Sequence, residues 1–463
     1  STRIAASDEN TLHVWNTSTS RELANFNEIK QAAIAFVDDG GAILFSCDRI
    51  GRLDLQGTKI DAFGESLGGT LLTGTDPKLN AIAVASFGSI YSIELDSGRP
   101  VTILRSANTS IGWLGSKDLH RFVGTDGESI FYWDESIGSA PKLIHKKAIK
   151  SYGIGISESG DRLATKDGND LQIIATSTGR VLSQAPDYKY SLYTFSFSPN
   201  SDLLATFSPD ALQLWSGIDG RHRGTVKLPH KGAGNDLVFA PDGEHLIVGD
   251  TSLSEYAFNY YSIDWRGQKL VRRISIPGFS SIVSGIAFHP DARSVIVGSY
   301  DSVLRLWDLD TGALIREYHG HHGPISKVAF AGGGTRVVSE DGTELNIWNT
   351  STGDLLASVF LTREGEWLTV TPEGFFDSSK EGARILAAVR GRELVSIDQF
   401  YNALYRPDLV REKLAGDPNG KVKAATAQLD LDKVMASGLA PKVTISSPAT
   451  RSAAPTDEVA VEA

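Results

Sequence analysis

The chain has 463 residues, 41% hydrophobic and 22% charged, with a formal net charge of −11. That is the composition of an ordinary globular protein, long enough for one large or two medium domains. The acidic balance gives no general attraction for phosphate backbones or anionic membranes, and no long Lys/Arg run offsets it, so neither nucleic acid nor a membrane is an expected partner.

The single cysteine, Cys47, excludes a disulfide framework within the chain and a Cys-rich metal site. Its setting in ILFSC reads as a buried strand thiol. No stretch approaches the 18 or so consecutive apolar residues of a membrane-spanning helix. Met435 is the only methionine, and Ser1 leads at once into TRIAASDENTLHVWN without an apolar leader. An artificial or proteolytic boundary is therefore expected at the start. Localisation signals are out of view, and the cytoplasm is the default expectation.

In chain order, one pattern recurs. A strand ends in Trp or another apolar residue, then comes Asp or Asn, then a short Ser/Thr/Gly turn. It reads HVWNTSTS at Trp15, RLDLQG at Leu53, SIELDSG at Ile93, FYWDESIG at Trp133 and IIATSTG at Ile174. It continues as LQLWSGIDG at Trp215, YSIDWRG near Ser262, RLWDLDTG at Trp307 and NIWNTSTG at Trp348. Successive markers lie 38 to 47 residues apart. Upstream of them run apolar alternations broken by a turn: AFVDDGGAILFS, FSPNSDLLAT, FAPDGEHLIVG, FHPDARSVIVGS and FAGGGTRVVSE. Pro, Asp, Asn and Gly supply the backbone angles of tight turns, and the flanks alternate with period two as half-buried strands do. A period of about 40–45 residues holding four short strands predicts an all-β propeller, whose blades bury one another's faces.

The strings GSYDSVLRLWDLDTG and VVSEDGTELNIWNTSTG resemble WD repeats, and the resemblance covers roughly residues 3–360. It implies a hydrogen-bonded tetrad of His, Ser/Thr, Asp and Trp in each complete blade. The last repeat offers His321, preceded by Gly320, with Ser339, Asp341 and Trp348. The repeat before it offers Ser299, Asp301 and Trp307 but lacks the His; the first offers Ser7, Glu9 and Trp15. Repeats two, three and five lack the Trp, so apolar packing is expected to hold them. These residues are structural, and no chemistry is assigned to them.

Nine markers exceed the 4–8 blades typical of propellers. Either eight blades close with a partial repeat to spare, or a seven-blade ring spans about 68–360 with residues 1–65 left over. The missing innermost strand of the first repeat favours the second. The expected division is 1–65 leftover or first blades, 66–360 the propeller, 361–438 a hairpin and helical tail, and 439–463 the truncated start of an immunoglobulin-like domain.

In the tail, EGEWLTVTPEGFFDSS reads as a hairpin anchored by Trp367, Phe375 and Phe376, with Pro372-Glu373-Gly374 as its turn. KEGARILAAVRG, SIDQFYNALY and RPDLVREKLAG place apolar residues three or four apart and predict helices, with Pro407 in a first turn. Residues 421–437 suit another short helix, and APKVTISSPATRS turns to a strand. The combination EWLTVTPEGFFDSS, YNALYRPDLVREKL and PKVTISSP resembles the segment after the WD repeats of bacterial proteins that carry a caspase-like peptidase. The resemblance implies a β-domain and a peptidase in following sequence. No Cys/His pair suited to a caspase occurs in the chain itself, so this chain is not expected to be an enzyme.

No cofactor or metal is expected. Histidines cluster only at HGHHG, 319–323, where His321 is already explained by the repeat. GAGND and AGGGT join strand to strand and lack the helix that a phosphate-cradling loop needs. Asp38, Asp39, Asp308 and Asp310 sit where aspartate caps its own turn. The lengthened seventh repeat gathers Tyr256, Phe258, Tyr260, Tyr261 and Trp265. These are candidate partner anchors, with Tyr300 and His319 as further rim candidates. The alternative is that alternate aromatics face the neighbouring blade. The leading expectation is a protein–protein interaction platform, serving as sensor or regulator in a larger bacterial caspase-like protein and contacting its C-terminal domains. A propeller hydrolase or lyase with a channel site, and a purely architectural spacer, are the alternatives.

Overall fold

In the computed structural model, the described residues are the backbone of strands between 3 and 75, and most of 80–429. The longest gaps in that second stretch are 106–111, 147–153, 186–194, 228–233 and 251–256. The expected immunoglobulin-like strands after 439, Tyr256, and the side chains of Ser7, Glu9, Trp15 and Cys47 lie outside the described residues.

The period of the sequence is the period of the sheets. Residues 70–104, 112–146, 154–185, 195–227, 234–277 and 283–319 each form a four-stranded antiparallel sheet from consecutive strands. The next sheet, 327–378, has six. The first strands of neighbouring sheets converge: Gly112–Gly115 lies between Thr70–Thr75 and Ile154–Ile156, and the series continues through Phe195–Phe197, Gly234–Phe239 and Val283–Phe288 to Lys327–Ala331. Lys327–Ala331 in turn contacts Thr70–Thr75, so the series returns on itself around a central channel. This is a β-propeller. Residues 3–27 form a three-stranded sheet and 33–62 a four-stranded one.

The marker turn shows why its residues recur. The pairing of third and fourth strands slips by one residue at Leu214/Trp215, Leu306/Trp307 and Ile347/Trp348, which bulges the strand beside the Trp. Asp308 Oδ1 then accepts the N–H groups of Asp310 and Thr311 at 3.0 and 2.7 Å, while Gly312 takes the positive φ of 71° that closes the turn. Asn349 and Gly353 repeat the device. At the first turn of a blade, Asp242 Oδ1 accepts the N–H groups of Glu244 and His245 in the same way.

Apolar residues alternate onto the two faces of each sheet and pack against the neighbouring sheets. Leu212, Leu214 and Val226 meet Leu237, Leu246 and Val248 across one such boundary. Where the marker Trp is replaced, by Ile93 and Ile174, the residue is fully buried and packed apolarly, as expected.

The tail departs from expectation in one place. The hairpin forms as Trp367–Val370 and Phe376–Ser378, added edge-on to Leu355–Leu361. Helices follow at Tyr401–Leu404, Pro407–Leu414 and Lys421–Gln428. The helix expected over KEGARILAAVRG does not form. Gly382–Ile385 makes a single 3-10 turn, and Ala387–Arg390 pairs antiparallel with Glu393–Ser396. The 3-10 turn packs on the hairpin, where Gly382 lies so close to the Trp367 carbonyl that a Cβ would not fit. Among the described residues, no helix is long and apolar enough to cross a membrane.

Candidate interaction surface

The tetrad of the last blade forms in full. Trp348 Nε1–H donates to Ser339 Oγ at 2.8 Å, and Ser339 Oγ lies 2.6 Å from His321 Nε2. His321 Nδ1 lies 3.3 Å from Asp341 Oδ2. The imidazole protonated on Nδ1 satisfies all three contacts at once. Ser339, His321 and Trp348 are buried, and a Cβ on Gly320 would come 3.2 Å from Trp348 Cη2, which explains the Gly of the Gly-His pair. Burial alone would raise the Asp341 carboxyl. Hydrogen bonds from His321, from the Thr343 hydroxyl and from the backbone N–H groups of Thr343 and Glu344 outweigh it, and hold the group far below the usual carboxylate range.

His321, Asp341 and Glu344 bring three ligand atoms within 4.8 Å of one another. Their partners are already the tetrad, the turn and Asn346, whose amide donates to Glu344 Oε1 at 3.1 Å. The cluster is a polar network of the blade.

The preceding blade does not repeat it. Ser299 Oγ donates to the Ser281 carbonyl at 3.4 Å, and Asp301 pairs with Arg305 at 2.9 Å. Among the described residues the buried Trp307 indole N–H has no hydrogen-bond partner, so Trp307 is not tied to Ser299 as the resemblance implied. Without a His to complete the chain, Trp307 packs instead against Phe258 and Phe279, each at 6.2 Å between ring centroids. The Arg305 guanidinium lies 5.2 Å over the Phe279 ring.

That arrangement corrects the aromatic candidates. Phe258 is 0% exposed and Tyr260 7%. Two residues apart on one strand, they share a face, and it is the face turned to the next blade. Tyr260 stacks on His245 at 5.5 Å and meets Phe288 from the next sheet. Neither is a partner anchor.

Tyr300 is different. It is 45% exposed, and its backbone N–H is held by the Ile282 carbonyl at 2.9 Å. The His319 side chain is 67% exposed and 3.4 Å from Glu317, and that of His322 is 88% exposed. Arg305 bridges Asp301, next to Tyr300, and Glu317, which pairs with His319. Sequence reading missed this Arg305 bridge. Its signal was available: Asp301, Arg305 and Trp307 keep alternate positions leading into the marker.

At the end of the channel where first strands turn into second strands lies a cavity of about 410 Å³. Leu114, Ile156, Ser196, Val238, Ala287 and Lys327 contribute to its wall. Lys117 pairs with Glu158 at 3.0 Å on the rim, and Glu158 is the one carboxylate among the described lining residues. A convergent acid–base pair is not assembled there.

Comparison with known proteins agrees with this architecture. Residues 269–308 match the family model described as WD domain, G-beta repeat. The chain is 27% identical over 197 residues to telomerase protein component 1 of Mus musculus, covering 42% of this chain and 7% of that protein. It is 24% identical over 166 residues to mouse pre-mRNA-processing factor 19, covering 35% and 32%. It is 26% identical over 251 residues to THO complex subunit 3 of Arabidopsis thaliana, covering 45% and 78%. The matches therefore span less than a third of the length of the first two relatives. Residues 269–308 are thus a WD40 repeat, and they lie within a β-propeller. These relatives are eukaryotic, and a caspase-like relationship rests on the resemblance of the tail alone.

Proposed function

We propose that this propeller is a protein–protein interaction platform whose contact face includes Tyr300, His319 and His322. The observation that carries the reading is the pairing of a rigid support with exposed side chains. Tyr300 stands in the turn after Ser294–Ser299, His319 ends the strand Leu314–His319 and His322 follows it, beside the Arg305 bridge and the tetrad. Such residues lose little conformational freedom on binding, and tyrosine supplies a large amphipathic contact. The ring is read as seven blades over 70–361, supported by the return of Lys327–Ala331 to Thr70–Thr75, with residues 3–62 outside it. A place beside a caspase-like peptidase, and an immunoglobulin-like domain from 439, are the finer reading that the tail supports.

The test is quantitative capture with the chain immobilised, comparing wild type with Tyr300→Ala, His319→Ala and His322→Ala combined. A specific partner held by the wild type should lose at least tenfold in affinity, the size of effect expected of an aromatic anchor. Failure of the wild type to retain any protein, or equal retention by the variant, would overturn the assignment and leave the spacer reading.

A further inference from the structure

Neighbouring sheets of the ring are joined by the chain itself, which runs from the last strand of one to the first strand of the next. One boundary lacks this. The sheets 70–104 and 327–361 lie side by side where the ring closes, with no direct loop between them. Each of these sheets takes its strands from consecutive sequence, so no exchanged strand ties the boundary. Nothing covalent limits separation at this seam, whereas at the others a short loop keeps the effective concentration of the two faces high.

The tail occupies this seam. Its hairpin extends the 327–361 sheet, and Thr369 Oγ1 on that hairpin donates to the Gly98 carbonyl of the opposite sheet at 2.6 Å. Asp377, 2% exposed, accepts from Arg99 of the opposite sheet at 2.6 Å. Helix Pro407–Leu414 then lies over both sides. Val410 and Leu414 share one apolar cluster with Tyr91 and Ile93 from the first sheet and with Ile347 and Leu356 from the last. The Leu414 carbonyl accepts from the Arg336 guanidinium of the last sheet. We propose that residues 364–428 are a clasp that holds the ring at its one loop-free seam, and that this seam is where the ring opens when the clasp releases.

The inference is independent of the partner reading, since it concerns a different face and a different readout. Its experiment is hydrogen exchange on the full chain, following strands Ala81–Ser86 and Leu345–Asn349 beside the seam. Strands Leu203–Ser208 and Ala211–Ser216 across the ring serve as the internal reference. Arg99→Ala strips Asp377 of its cation, and Thr369→Val removes one hydrogen bond with little change of shape. Arg99 is partly exposed, so Arg99→Ala should fold, and Thr369→Val is the milder second probe. Exchange beside the seam is expected to accelerate on the order of tenfold in Arg99→Ala and several-fold in Thr369→Val, with the reference strands unchanged. Equal acceleration on both sides of the ring, or none beside the seam, would overturn the clasp.

Discussion

The same residue type at equivalent positions of adjacent blades gives a controlled comparison. Ser339 and Ser299 are both fully buried. In Ser339→Ala, the lost hydroxyl leaves Trp348 Nε1–H without its acceptor at 2.8 Å and His321 Nε2 without its partner at 2.6 Å. Each orphaned buried group costs about 1–3 kcal/mol, and the two share one small space that water enters poorly, so roughly 2–4 kcal/mol is expected. In Ser299→Ala, the hydroxyl gives up a long bond of 3.4 Å to Ser281 and an acceptor position at 3.3 Å from the Asp301 N–H, while Trp307 loses nothing it had. A cost of about 0.5–1 kcal/mol follows. A chain of this size is not expected to unfold in one step, so the measurement is hydrogen exchange of Arg336–Glu340 and of Ser294–Ser299, each in its own variant. If Ser299→Ala proved as costly as Ser339→Ala, the claim that only the later blade carries a working tetrad would be wrong.

The remaining predictions concern acid and the aromatic boundary. The Asp341 carboxyl is depressed in the folded chain, so its contribution to stability is complete above its unfolded value of about 4 and is lost as the pH falls through the lower folded value. Asp341→Asn should therefore flatten the acid dependence of exchange in the 327–361 blade below about pH 4, and an unchanged acid limb would count against it. Phe258→Ala empties a boundary shared with Phe279 and Trp307 and should cost about 3–5 kcal/mol, measured as faster hydrogen exchange of Ala257–Asp264 and Val303–Asp308. A loss of partner binding without loss of stability would instead return Phe258 to the list of anchors.

The repeat was legible because its signals are local. Turn chemistry such as Asp308 with Gly312, and period-two alternation, depend on neighbours a few residues away. The tetrad at His321 was implied by the resemblance to WD repeats, and the last repeat keeps all four of its members. What could not be read was whether a residue type finds its partner. Trp307 carries the marker but turns to aromatics supplied by another blade, and Phe258 and Tyr260 look the same in sequence whether they face a partner or a neighbouring sheet. The tail mixed both cases. Its hairpin and the helices at Tyr401–Leu404, Pro407–Leu414 and Lys421–Gln428 fall where their patterns place them, but the ILAAV run is compatible with either period. The chain takes the extended form there, pairing Ala387–Arg390 with Glu393–Ser396.

The unequal blades also give the ring a temperature sense. Apolar packing weakens on cooling, because its driving force near room temperature is entropic, whereas a hydrogen-bonded polar network lacks that dependence. The sheet at 154–185 has Ile174 at the marker, while the sheet at 327–361 has Trp348 locked to Ser339 and His321. Chilling should thus soften one sector of the circle before the other, and the arc around Trp348 would be the last to lose its shape in the cold.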